Sequence, residues 1–397
     1  MNNYNDKLIN NIKISYVYNF LMNFRATQAI WIIYLSSMGL SLIQIGLLES
    51  IYHLTSLIFE IPSGAVADIL GKKFSIIIGR IFAVISTILM ILSLNMFGFA
   101  ASFIFNALSN NFDSGASESL TYESLKILNK QSDYKRISGI INFLIEVGQG
   151  LAVVIGGLLS DRRFIYAYLF SLIFEIMCVF VSFTFTEPKY TSDITHKNKP
   201  QFAALLINCL TVIKAQKLVF YLIIYFSLIS TIGTTVYFYC QKYFDIMHFT
   251  KTSIALMFAA GSIISALSSV LAYRIENKLH QDKIIILLPV LSMVTLVGLA
   301  LSSSISIMFF FAISCFISGF SYPIFSDYIN SLIPSEYRAT LLSIESLFFS
   351  LFMILFFPIV GFIGDKIGLS YAFICAAILF LPIILFIIFK LNKIKNA

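Results

Sequence analysis

Apolar runs of about twenty residues recur along the whole chain, and nothing else in it narrows the possible folds so far. A helix rising about 1.5 Å per residue needs about 20 such residues to cross a hydrocarbon layer about 30 Å thick. Of the 397 residues, 58% are hydrophobic and only 12% charged, whereas soluble domains carry roughly a quarter charged residues. Forty Phe and a mean hydropathy of +0.89 agree with this. The chain therefore reads as an integral membrane protein, which excludes a soluble enzyme, a nucleic-acid binder and a secreted disulfide scaffold. A net charge of +7 and a pI near 9.0 do not reopen the nucleic-acid reading, because no basic cluster exceeds a few residues and most flank apolar runs.

Cysteine usage adds no cofactor or metal. Cys178, Cys209, Cys240, Cys315 and Cys375 lie far apart with no short-spaced pair, so neither a zinc site nor a redox motif is expected and small apolar packing is the simpler role. The start, Met1 to Ser15, is polar and Asn-rich without a small-residue cleavage site, so the first apolar run is expected to be a retained helix rather than a signal peptide.

Breaks at charged, Gly and Pro clusters predict an all-α protein of twelve spans, near 14–37, 41–63, 74–95, 97–121, 136–159, 164–185, 218–240, 250–272, 284–303, 305–328, 340–360 and 369–389. The one long connection, 187–217, carries Pro188, Pro200 and five Lys and separates an N-terminal six-helix bundle, 1–186, from a C-terminal one, 218–397. With both termini inside, 20 of the 27 Lys and Arg fall on inner segments, and only Arg162, Arg163, Lys242, Lys251 and Lys366 on outer loops. The positive-inside rule then puts both termini in the cytoplasm.

The two halves also resemble each other. At an offset of 203, Ser132-Asp133-Tyr134-Lys135 meets Ser335-Glu336-Tyr337-Arg338. At 204, Ser114-Gly115 meets Ser318-Gly319, Glu123 meets Asp327, and Gly157 and Asp161 meet Gly361 and Asp365. Order and helix ends are kept, as in a repeat. Two parallel six-helix repeats around a midplane site suit a transporter that rocks between two openings.

Between spans 2 and 3 the chain reads Gly64-Ala65-Val66-Ala67-Asp68-Ile69-Leu70-Gly71-Lys72-Lys73. This resembles the signature loop of the major facilitator superfamily, Gly-x-Leu-Ala-Asp-Arg-x-Gly-Arg-Lys. Gly64, Ala67, Asp68, Gly71 and both cations match, and Ile69 replaces the first Arg. The resemblance implies that Asp68 latches the inner side, with Arg80 or Lys72 taking the place of the missing Arg and Lys73 among the latch cations. Phe59-Glu60-Ile61-Pro62-Ser63-Gly64 and the stretch from Phe112 to Leu125 are similar to bacterial twelve-helix efflux members of the drug:proton antiporter type. Gly148, Gly150, Gly156 and Gly157 in span 5 are similar to the antiporter motif, although Ala152 and Val153 stand at its Gly-Pro places.

An ionisable group at mid-membrane is a functional candidate by default. Arg25, His53, Asp113 and Glu146 fall near the middles of spans 1, 2, 4 and 5, which the resemblance implies face the cavity, and Gln149 lies beside Glu146. Arg25 is the one mid-span cation there, with Asp113 or Glu146 as expected partner. Glu123, Asp327 and Arg338 are placed with the latch groups, and Glu175 has no assigned role. In the second half, span 7 offers Tyr225, Thr231, Thr234 and further tyrosines, a wall suited to an apolar or cationic amphiphile or, equally, to packing and interfacial anchoring.

The expected function is proton-coupled secondary transport of a small hydrophobic or amphiphilic molecule, with export favoured, by a monomer in a bacterial cytoplasmic membrane whose partners are the substrate, protons and lipids. Uptake symport of a sugar, peptide or metabolite, and a lipid flippase, are the alternatives. A primary pump lacks its Gly-x-x-x-x-Gly-Lys-Ser/Thr loop. A membrane enzyme lacks a clustered ligand set, since His53, His196, His248 and His280 are widely separated.

Overall fold

The computed structural model describes residues 2–188, 217–302, 306–332 and 338–395. Nearly all of them are helical, as a lipid solvent requires of a chain whose backbone polar groups must be satisfied within each segment. Among the described residues the helices are α1 (Asn2–Met22), α2 (Trp31–Ser37), α3 (Leu42–Ile69), α4 (Lys72–Leu92), α5 (Met96–Asp113), α6 (Ala116–Ile127), α7 (Tyr134–Ser160), α8 (Phe164–Thr184), α9 (Lys217–Ile246), α10 (Lys251–Leu301), α11 (Ser306–Leu332), α12 (Arg338–Ile367) and α13 (Leu369–Lys395), with a 3-10 turn at Gln131–Asp133. Most of the central connection and Ser335-Glu336-Tyr337 of the repeated segment lie outside the described residues, as does the side chain of Arg338.

Ten stretches among the described residues are long and apolar enough to cross a membrane. The two expected spans that do not qualify, 1 and 4, are the two that are interrupted. Span 1 is α1 and α2 with a non-helical segment from Asn23 to Ile30 between them, and it begins at Asn2 rather than near residue 14. Asn11, fully buried, explains the longer start: its amide donates to the Thr186 carbonyl at 2.8 Å and to Ser124 at 2.9 Å, while its carbonyl accepts from Thr186 N–H at 2.9 Å. Span 4 is α5 and α6, parted at Ser114 and at Gly115, whose φ of 72° only glycine adopts without steric cost. Its repeat partner Gly319 lies inside unbroken α11 instead, where an added Cβ would collide with the Ser265 carbonyl.

Two further boundaries differ from the sequence expectation. Spans 8 and 9 form one helical run, α10, with apolar stretches Lys251–Leu279 and Gln281–Leu301, because no Gly or Pro stands between Gly261 and Pro289 to end a helix. The signature segment is mostly helix as well, since α3 continues through Pro62 and Gly64 to Ile69 and leaves only Leu70 and Gly71 as the turn.

The helices group into two compact units. The first takes the chain up to Trp31, residues 51–188 and Lys251–Leu256; the second takes Ile32–Ser50, 217–250 and the described residues from Met257 onward. In the first, Tyr18, Leu21, Ile76, Leu120, Cys178 and Phe185 form a buried core. In the second, Phe244, Phe258, Phe311, Phe357, Phe373 and Phe380 are among the rings withdrawn from the surface.

Candidate functional site

The break in span 1 positions the site. Non-helical backbone at membrane depth is tolerated where it is buried in protein or lines a cavity, and broken helices mark binding sites in transporters. The Ala26 N–H freed by the break is satisfied by the Ser171 hydroxyl at 3.1 Å. Arg25 sits within the break and donates to the Asn110 side-chain oxygen at 3.0 Å. The Asn110 amide in turn donates to the Tyr52 hydroxyl at 2.9 Å and to Asn106 at 3.4 Å. Beside them Gln149 donates to the Asn23 side chain at 3.1 Å. The Tyr52 ring meets His53 edge-on with centroids 5.3 Å apart. One cation, four amides and a phenol from α3, α5, α7 and the break thus form two sets of hydrogen bonds in the first unit, one through Arg25 and one through Asn23 two residues before it.

Arg25 is therefore joined to an amide rather than to Asp113 or Glu146, the partners expected from depth alone. Asp113, buried at the end of α5, instead accepts from the Tyr18 hydroxyl and lies 4.0 Å from the guanidinium of Arg80. Arg80, 2% exposed, also donates to the Ser109 hydroxyl at 3.2 Å and faces the Tyr18 ring at 5.9 Å. Its partners are thus Tyr18 on α1 and Ser109 and Asp113 on α5, rather than Asp68 of the signature segment. Glu146 is exposed on α7 and forms no ion pair among the described residues. Glu175 accepts from Thr87 at 2.9 Å, and its second carboxyl oxygen, buried, has no hydrogen-bond partner among the described residues.

At the inner ends, Lys72 forms an ion pair with Glu123. A residue not singled out from the sequence completes this corner: the Glu187 carboxylate accepts the backbone N–H groups of Lys72 at 2.9 Å and Lys73 at 2.7 Å. Those are donors of the first turn of α4 that have no partner within the helix. Gly71, at φ 101° and ψ 152°, brings the chain into α4 in a conformation essentially confined to glycine. Asp68 is exposed on the last turn of α3, and a Cβ on Gly64 would meet open space. Asp327 is exposed on α11 without an ion pair among the described residues.

The span 7 hydroxyls are mostly spent on packing. In the second unit Tyr225 donates to the Ile285 carbonyl at 2.7 Å and Tyr239 to the Phe357 carbonyl at 2.8 Å, as a buried hydroxyl must find a partner. Tyr237 packs its ring against Phe258 and Phe311, with centroids 4.6 and 6.3 Å away. Thr234 is half-buried. The span 5 glycines divide as well: a Cβ on Gly156 would overlap the Ala26 carbonyl and one on Gly148 would press on Phe20, whereas one on Gly150 would meet nothing.

Asn110, Tyr52 and Asn23 were missed by a search for charges, and Glu187 because it falls at the start of the central connection. A signal existed for some of them, because Asn106, Asn110 and Asn111 in an apolar span are themselves costly groups that need partners.

The sequence profile of the Major Facilitator Superfamily matches residues 14–344. The chain belongs to this family. It is 26% identical over 384 residues to YxaM of Bacillus subtilis (strain 168), an uncharacterized MFS-type transporter, with 92% of each chain covered. Among solved structures of the superfamily's fold, the nucleoside transporter NupG superposes with a TM-score of 0.76 at 13% identity, over 98% of this chain and 99% of that one. A bacterial homologue of the human lysosomal transporter Spinster does so with 0.74 at 15%, over 98% and 97%. Membership makes the chain a multi-pass membrane protein of a transporter class, working by secondary transport and alternating access, and not of an enzyme class.

Proposed function

We propose that this superfamily member exchanges protons for a small amphiphilic molecule and exports it, holding the substrate's polar group at the patch formed by Arg25, Asn110, Tyr52, Asn23 and Gln149. The observation that carries this reading is the cation in the broken span. Among the described residues Arg25 makes one hydrogen bond from a guanidinium with five N–H donors, which leaves donors for an anionic or acceptor-rich group. Glu146, one turn from Gln149 and Gly150 on α7, is the proposed proton carrier, because it is a carboxyl in the same span as Gln149 that forms no ion pair among the described residues. Asp113 is less suited, since its carboxylate is already engaged by the Tyr18 hydroxyl and lies beside Arg80. His53 is the second candidate for the proton, and Tyr225 and Thr234 belong to the apolar side of the path.

Export rests on the efflux-type segments around Glu60 and Glu123 and on the span 5 glycines. The inner latch of this reading comprises Gly64, Asp68, Gly71, Lys72, Lys73, Glu123, Asp327 and Arg338. It acts in a monomer whose two six-helix halves, 1–186 and 218–397, rock about the site, with both termini in the cytoplasm as the Lys and Arg distribution favours.

One observation favours a second reading. Four amides around one cation are a better match to a polar metabolite than to a purely apolar drug, which would make the protein an uptake symporter. Purified protein in liposomes with imposed pH gradients of either sign separates the two. Export by exchange accumulates substrate in acid-loaded vesicles, symport accumulates it in vesicles alkaline inside, and accumulation indifferent to the gradient rules out proton coupling altogether.

A further inference from the structure

The repeat reappears in the structure as a pair of identical contacts. Gly157-x-x-x-Asp161 ends α7, and Gly361-x-x-x-Asp365 occupies the corresponding end of α12, 204 residues later. The Asp161 carboxylate accepts the backbone N–H of Lys251 at 2.7 Å and of Thr252 at 3.1 Å, and it also takes the Thr252 hydroxyl. The Asp365 carboxylate accepts the backbone N–H of Leu42 and of Ile43, both at 2.8 Å. Each acid thus holds the otherwise unsatisfied first turn of a helix from the opposite half of the sequence, α10 in one case and α3 in the other. Negative charge is favoured at a helix N-terminus, and bonds to an ionised acceptor are the stronger kind.

One turn earlier, the glycine of each motif makes the approach possible. A Cβ on Gly157 would meet the Ala255 side chain and the Lys251 carbonyl, and one on Gly361 would meet the Leu42 carbonyl and the Tyr239 hydroxyl. Each contact lies inside one compact unit. Asp161 and Lys251–Leu256 belong to the first, and Asp365 and Ile32–Ser50 to the second. Those two segments are the pieces that each unit borrows from the other half of the chain.

We infer that Asp161 and Asp365 are paired latches of the transport cycle, acting at the end of the helices opposite to the turn at Gly71. By span parity the connections they sit on, 5–6 and 11–12, emerge on the same side of the membrane as connections 1–2 and 7–8, which supply the helix starts they hold. Alternating access requires helix ends of the two halves to part on that side, and these five hydrogen bonds join them there. Both carboxylates are exposed, so water replaces the protein donors when the helices separate and the latch opens without stranding a buried charge. The inference rests on alternating access, not on the substrate or on Arg25.

Gly150 supplies a reporter, because a side chain there meets open space at mid-depth on α7. Gly150→Cys is introduced with and without Asp161→Ala and Asp365→Ala, the parent lacking it serves as blank, and labelling by a membrane-impermeant maleimide is timed on intact cells and on inverted vesicles. Released latches are expected to speed labelling several-fold from the side of connections 5–6 and 11–12 and slow it from the other, with single variants in between. Unchanged rates in the double variant overturn the inference, and so does a rise from both sides, which marks general loosening. Should the alanine pair fail to reach the membrane, Asp161→Asn with Asp365→Asn, which keep side-chain size, decide on the same criterion.

Discussion

The carboxylate of Glu187 occupies the place that a side chain on Gly71 would take: a Cβ built there lies 3.0 Å from the Glu187 carboxyl carbon. The glycine and the acid form one device, in which the missing side chain leaves room for the carboxylate that holds the start of α4. The signature turn is thereby tied to the end of span 6.

Gly71→Ala is expected to fail on two counts. The backbone conformation costs about 1–3 kcal/mol for any other residue, and the new methyl group displaces Glu187. Thermal unfolding in detergent should fall clearly for Gly71→Ala and less for Glu187→Gln. Because both act on one contact, the double variant should lose less than the two single losses together. Full additivity would show the two to be independent.

Arg80 and Asp113 form a buried pair, and removing one partner leaves the other as an uncompensated charge. Such losses run to about 3–5 kcal/mol, whereas replacing both partners costs far less. Arg80→Leu and Asp113→Asn are each expected to reduce folded yield and thermal stability strongly, with partial recovery in the combined variant. Tyr18→Phe, which removes one donor to Asp113, should show a smaller loss. If Asp113→Asn leaves stability untouched while abolishing transport, Asp113 acts in the transport step rather than in support of the fold.

The class of the protein was legible in the spacing of apolar runs, and the turn between spans 2 and 3 was legible in the segment from Gly64 to Lys73. The partners were not. Depth along a helix follows from counting residues, so Arg25 and Asp113 could both be put at mid-membrane. Which faces they share depends on helix rotation and on the break at Asn23 to Ile30, and neither is encoded in hydropathy. Arg80 was read with the inner loop because it follows the loop by two turns, yet it faces Ser109 and Asp113 across α5. Glu187 was counted as the start of a linker because its partners are backbone groups, which leave no trace in sequence.

Two glycines of the span 5 motif are expected to respond in opposite ways. Gly156→Ala drives a methyl group into the Ala26 carbonyl beside the break in span 1, where neither backbone can yield without disturbing Arg25. Gly150→Ala meets open space and gains helix propensity of about 1 kcal/mol. Transport and thermal stability should therefore drop in the first and hold or rise in the second. Equal effects would mean that the motif works through helix flexibility rather than through close approach.

The last prediction separates binding from coupling within the polar patch. Arg25→Gln keeps a donor for Asn110 but removes the charge offered to substrate, so half-saturating substrate concentration should rise about tenfold or more, the equivalent of about 1.4 kcal/mol, with stability little changed. Glu146→Gln removes the proposed proton carrier and leaves Arg25, Asn110 and Gln149 in place. It should abolish accumulation driven by a pH gradient while substrate-for-substrate exchange across the liposome membrane continues, because exchange needs the carrier to reorient loaded but needs no net proton movement. Loss of exchange together with accumulation would make Glu146 part of the binding site. Retention of both would move the proton to His53, and His53→Gln, tested in the same vesicles, would then be the variant that loses accumulation alone.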